Sequence, residues 1–175
     1  MRGQIARALG ALLVAGAVLA VLAPAAGATT GDQTFKGTIV TSGTSGDRVV
    51  VNSEVVAKGV VKGKGEIVEV DNLPGDPDNL FRDDFVFKGG TMHVLTTNLD
   101  FSFSVDPKSC HFEATLVQTA EIAGGTGSYA NASGTFDSTV NGKGELARNP
   151  DGSCSTDLTP LHEVDKLEAR GTLTN

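Results

Sequence analysis

Residues 110–122 read CHFEATLVQTAEI, and their alternation decides the fold. The even positions Cys110, Phe112, Ala114, Leu116, Ala120 and Ile122 are apolar, with Gln118 as the one interruption. The odd positions are mostly polar: His111, Glu113, Thr115, Thr119 and Glu121. A period of two describes a strand with one buried face; a helix would repeat every 3.6 residues. Working outward, residues 91–105 (TMHVLTTNLDFSFSV) put Leu95, Leu99, Phe101, Phe103 and Val105 on odd positions, with Thr96, Asn98, Asp100, Ser102 and Ser104 between them. Phe81, Phe85 and Phe87 share one face of a shorter run, and Phe136, Val140 and Leu146 share a face of a later one.

Turn chemistry separates these runs. Ser42–Asp47, Asp71–Pro77, Lys88-Gly89-Gly90, Asp106-Pro107-Lys108 and Asn149–Gly152 are clusters of Gly, Pro, Asn, Asp and Ser, the residues that reverse a chain. The spacing predicts eight strands, near 33–41, 48–58, 60–70, 81–87, 91–105, 109–123, 133–148 and 163–173, and no helix beyond Thr29. Antiparallel strands without a covering helix must hide their apolar face by closing on themselves or by stacking two sheets. Glycines within the runs (Gly59, Gly63, Gly65, Gly142, Gly144 and Gly171) favour the sharp coiling of a small barrel. The expected fold is therefore all-β, an eight-stranded antiparallel closed barrel. Val61–Ile67 (VKGKGEI) also echoes Val140–Leu146 (VNGKGEL), which is read as two strands needing the same glycine bend.

The chain has 175 residues, with 14 Lys and Arg against 21 Asp and Glu, a net charge of −7. Nucleic acid and anionic membrane surfaces repel such a chain, so neither is an expected partner. At the N-terminus, Arg2 and Arg7 precede the uncharged run Ala8–Ala23, then Pro24 and the small residues Ala26-Gly27-Ala28. A basic start, an apolar stretch and a small-residue site describe a secretory signal peptide. Residues 1–28 are therefore expected to be removed, leaving 29–175 as one secreted domain without a membrane span. The apolar run is shorter than the roughly 20 residues of a spanning helix. In an oxidising compartment the only two cysteines, Cys110 and Cys154, are expected to form a disulfide.

Residues 123–136, AGGTGSYANASGTF, resemble the GGTGxF/Y-x-x-A-x-G segment of plant dirigent proteins and of the wider allene oxide cyclase-like barrel superfamily. The mature chain, over roughly 34–173, is similar in strand count and spacing to exported bacterial proteins assigned to that barrel. The resemblance implies an eight-stranded barrel with a largely apolar cavity that binds a small hydrophobic molecule, or steers its cyclisation or isomerisation. The plant members associate as trimers, so a homo-oligomer is an option here. No catalytic residue carries over. Read from the residues alone, Gly124, Gly125 and Gly127 make a tight link between two strands, and Tyr129 packs that turn.

No HExxH, GxSxG, Walker or CxxC pattern is present, no cofactor is implied, and His93, His111 and His162 are too dispersed to suggest a metal triad. Asp71, Asn72, Asp76, Asp78 and Asn79 crowd one loop with oxygen ligands, but its two prolines explain it as a turn. The informative residues are polar ones on apolar strand faces, which are costly to bury without a partner. Asp83 shares the parity of Phe81, Phe85 and Phe87; His93 and Thr97 share that of Leu95 and Phe101; Gln118 lies between Leu116 and Ala120. His93, Thr97, Phe101 and Gln118 are thus the expected ligand-binding residues. Asp83 and His93, facing each other across the 88–90 hairpin, are the candidates for proton exchange. The rival reading is a non-catalytic envelope protein with a barrel filled by side chains, and cavity volume separates the two.

Overall fold

The computed structural model describes residues 27–44, 46–156 and 159–175; the signal peptide expected at 1–28 lies, but for its last two residues, outside them. Eight strands follow in order: β1 (Thr30–Ser42), β2 (Val49–Gly59), β3 (Gly63–Val70), β4 (Leu80–Phe87), β5 (Gly90–Val105), β6 (His111–Gly125), β7 (Ser133–Glu145) and β8 (His162–Thr174). Each pairs antiparallel with the next, and β8 pairs with β1 from Thr30↔Thr174 to Ser42↔His162, closing the barrel. The period-two segments expected from the sequence correspond to these strands. A single 3₁₀ turn, Gly127–Tyr129, links β6 to β7.

The outer face carries Lys36, Glu54, Lys64, Glu66, Glu121 and Arg170, all exposed, a surface unlike the apolar band that a membrane-spanning barrel presents to lipid. No helix among the described residues is long and apolar enough to cross a membrane.

The buried apolar side chains point inward. Phe35, Val55, Phe85, Met92, Val94, Ile122, Phe136 and Leu173 form one buried cluster, which Phe87, Tyr129 and Ala132 join at the end nearest the 3₁₀ turn. Tyr129 lies edge-on to Phe87, with ring centroids 5.8 Å apart, so it packs this turn as expected. Gly124 has φ +89°, and β6 gains an extra residue here, because Met92 pairs with Gly125 while Val94 pairs with Ile122. Gly127 has φ +57°, and a Cβ there would lie 2.3 Å from the Gly89 carbonyl oxygen. The glycine segment thus brings the β6–β7 link against the β4–β5 hairpin, where Ser128 N–H donates to the Gly89 carbonyl at 2.9 Å.

The barrel wall is uneven. β2 and β3 are laddered only over Val55–Ala57 and Gly63–Gly65. Beyond this seam the Ser53 hydroxyl takes the place of backbone, donating to the Ile67 carbonyl at 2.7 Å and accepting from Ile67 N–H at 3.2 Å. On the opposite side β5 pairs with β6 out to Val105↔Phe112, well past the end of its ladder with β4 at Leu80↔Thr97. A second buried cluster of Cys110, Phe112 and Leu146 anchors this taller wall. The Cys110–Cys154 disulfide is formed there, with a Cα–Cα distance of 5.4 Å.

The β5 alternation contains two phases, and this corrects the expected parity. The β4–β5 hairpin pairs Phe87 with Gly90 around a two-residue turn, so odd positions of β4 face even positions of β5: Phe85↔Met92 and Asp83↔Val94. Met92, Val94 and Thr96 point inward and are buried. Between Asn98 and Asp100 the register shifts, leaving Leu99 as an extra residue, and from Phe101 onward the odd positions take the inward phase. A bulge of one residue reverses every side chain beyond it.

Candidate functional site

A cavity of about 540 Å³ opens at the end of the barrel away from the 3₁₀ turn. Its deep wall is apolar. Phe35 lies between Phe85 and Phe136, 5.3 Å from each ring centroid, and Val94, Ala120, Ile122 and Ala169 complete the surface. Above these comes a polar belt of Thr96, Gln118 and Ser138. Gln118 and Ser138 face each other across β6 and β7. Gln118 Nε2 donates to Asn98 Oδ1 at 2.7 Å, whereas Ser138 Oγ is buried without a hydrogen-bond partner among the described residues. Such an atom costs on the order of 1–3 kcal/mol unless something supplied from outside the fold satisfies it.

The mouth is charged. Glu69 at the end of β3, Asp83 near the start of β4, and Glu163 and Asp165 at the start of β8 border it, together with Arg48 just before β2. Arg48 Nη1 donates to Glu69 Oε2 at 2.5 Å; its Nε and Nη2 lie 3.9 Å from Glu163 and Asp165. Gly142 leaves room for the Asp165 carboxylate, because a Cβ there would lie 2.7 Å from Oδ1. Burial raises the pKa of Asp83 to about 6, helped by the like charges of Glu69 and Asp84 and opposed by Arg48. Burial likewise raises Asp165 to about 6, with Glu163 and Glu69 adding to it and Arg48 opposing it. Two carboxyl groups that change charge near neutral pH therefore stand at the entrance to an apolar chamber, where a bound molecule could exchange a proton with them.

The structure places the sequence-derived residues unequally. Asp83 and Gln118 line the cavity. His93 does not: it is exposed on the outer face, and its Nδ1 is 2.7 Å from Asp84 Oδ1. The expected Asp83–His93 pair is thus corrected to Asp84–His93, because the two-residue turn sets Asp84 and not Asp83 opposite His93. Thr97 is corrected for the same reason, facing outward between Leu80 and Thr119. Phe101 has the inward phase but stands on the tall wall above the cavity, 58% exposed and stacked on Phe103 with centroids 6.1 Å apart.

Sequence reasoning missed Arg48, Glu69, Ser138, Glu163 and Asp165. A signal existed for three of them. Ser138 interrupts Phe136 and Val140 just as Gln118 interrupts Leu116 and Ala120, and Glu163 and Asp165 continue the parity of Leu167, Ala169 and Leu173. In the 71–79 loop, Asp76 accepts from Arg82 Nε at 2.7 Å, Arg82 Nη2 at 2.9 Å and Leu73 N–H at 2.7 Å, so it braces the turn. The register also aligns His111, Glu145 and His162 in one exposed cross-strand row. Even so, among the described residues no group of three His, Cys, Asp or Glu is arranged to hold a metal ion. Comparison with protein-family models, with curated proteins and with solved structures finds no match for this chain.

Proposed function

We propose that this protein is an exported barrel that binds a small hydrophobic molecule in its cavity, with steering of cyclisation or isomerisation as the chemistry the site could add. The observation that carries the reading is the chamber of about 540 Å³, walled by Phe35, Phe85, Ile122 and Phe136 and interrupted by a few polar groups. That combination of volume, apolar lining and sparse polar groups is the usual character of a small-molecule site. A barrel serving only as an envelope scaffold would fill this volume with side chains. Asp83 and Asp165 are the groups through which a bound molecule would exchange a proton. The disulfide supports export, since such bonds persist in oxidising compartments. Membership of the allene oxide cyclase-like superfamily rests on the resemblance of residues 123–136 and on the likeness in strand count and spacing over roughly 34–173.

Titration with Nile red, a neutral polarity-sensitive dye, tests the reading. The wild type is expected to bind it with a blue-shifted emission. Ala169→Phe, which puts a ring into the chamber, is expected to weaken binding about tenfold while leaving the circular dichroism spectrum unchanged. His93→Ala, on the outer face, is expected to bind the dye as the wild type does. Absence of dye binding, or equal affinity in Ala169→Phe and wild type, overturns the reading.

A further inference from the structure

The mouth of the cavity is short of positive charge. One guanidinium, Arg48, faces four carboxylates, Glu69, Asp83, Glu163 and Asp165. The neighbouring cation Arg82 is held by Asp76 through two hydrogen bonds. Glu163 and Asp165 are mostly buried, their side chains 18% and 17% exposed. Partly desolvated carboxylates clustered in this way repel one another and call for a compensating cation. A bare metal ion is a poor fit, because no three of these groups are arranged as ligands among the described residues. Behind the acids lies an apolar chamber, which a metal would not use.

An independent feature points deeper into the same cavity. Ser138 Oγ lies in the chamber wall without a hydrogen-bond partner among the described residues, and its residue is only 3% exposed. Ser138 pairs with Ala169, while Asp165 pairs with Gly142. The two levels are therefore four residues apart along β7, about 13 Å at the usual strand rise. A ligand meeting both demands has a polar atom within the barrel and a charged group at its mouth.

We propose that the bound molecule is an amphiphilic aliphatic amine, with an otherwise apolar body in the barrel that carries one polar atom at the level of Ser138, and with its ammonium group held at the mouth by Glu69, Asp83, Glu163 and Asp165. This rests on the hydrophobic-ligand reading above and adds the head group. A carboxylate head would be repelled by all four acids, and a hydroxyl head would leave their charge uncompensated. An ammonium supplies three donors and a positive charge in one compact group.

Displacement of Nile red by three amphiphiles of equal chain length, each below its micelle concentration, tests the proposal at pH 7.5. Dodecylamine is expected to displace the dye at about one-tenth of the concentration that dodecanol needs, and dodecanoate should be the weakest. In Glu163→Gln/Asp165→Asn the advantage of amine over alcohol is expected to shrink to within about twofold. The wild type provides a second arm that needs no substitution. Between pH 7.5 and pH 5, Asp83 and Asp165 take up protons near pH 6; Asp83 is faced by Glu69, Asp84 and Arg48, and Asp165 by Glu163, Glu69 and Arg48. The amine, with a pKa of about 10, stays charged over this range, so its advantage is expected to fall. Equal displacement by dodecylamine and dodecanol, or an advantage that survives both the double substitution and pH 5, overturns the amine assignment and leaves the hydrophobic-ligand reading standing. Failure of Nile red to bind at all overturns that reading and the amine with it.

Discussion

Asp83 holds a charge that the fold resists. Its carboxyl binds a proton at about pH 6 in the folded protein and at about 3.9 in an unfolded chain. The folded state therefore binds more protons between these values. The stability this group contributes is fully present below about pH 4 and is lost as pH rises through 6. Asp83→Asn, which removes the charge and keeps the shape, is expected to stabilise the protein by about 1–2 kcal/mol at pH 7.5 and by nearly nothing at pH 4. Urea unfolding at the two pH values measures this; a gain no larger at pH 7.5 than at pH 4 would show that the Asp83 pKa is not raised in the folded state. Asp83 was legible in the sequence because it shares parity with three phenylalanines on one short, regular strand. His93 was misread because parity transfers between strands only when the turn length is known. A two-residue turn exchanges odd for even, and Asp84 became its partner at 2.7 Å.

At the scale of elements, the echo between Val61–Ile67 and Val140–Leu146 has a packing cause. A Cβ on Gly65 would lie 2.8 Å from the ring of Phe87, and one on Gly144 would lie 2.6 Å from the ring of Phe112. Each glycine pairs directly with that phenylalanine on the adjacent strand, so the ring covers the bare backbone of its neighbour. Gly144→Ala would also bring a Cβ to 2.2 Å from the His162 carbonyl oxygen, a backbone atom that cannot give way. The expected loss is more than about 2 kcal/mol. Gly152→Ala, where no atom lies within 4 Å and only φ +88° is strained, should cost about 1 kcal/mol. Chemical denaturation of both variants checks the order, and the reverse order would mean that steric contact does not govern Gly144. In β5 the apolar residues at 95, 99, 101, 103 and 105 looked like one face because four of them lie at or beyond the bulge at Leu99. The bulge at Leu99 carries no glycine or other local marker, so it was not legible.

Across the whole molecule, the disulfide ties the tall wall to the 146–161 loop and closes a separation of 44 residues. In the chain-entropy account, Cys110→Ser/Cys154→Ser is expected to cost about 4 kcal/mol. Urea melts of the double variant and of reduced wild type should agree; a loss below about 1 kcal/mol would mean that the reduced chain is already constrained in the unfolded state. Cys110 also has φ +60° in the turn that returns its own N–H to the Asp106 carbonyl at 2.8 Å.

Strand number, strand position, antiparallel order and the cysteine pair were determined by the sequence itself. Alternation and turn residues are local properties of the backbone, and two cysteines allow one pairing. Tertiary structure alone decided which phase of β5 faces inward, because that depends on a turn length and a bulge. It alone assembled the mouth as well. Arg48, Glu69, Asp83 and Asp165 span more than a hundred residues of chain and meet only because β8 closes on β1. Their charges matter to one another through distance and burial, which no local pattern encodes.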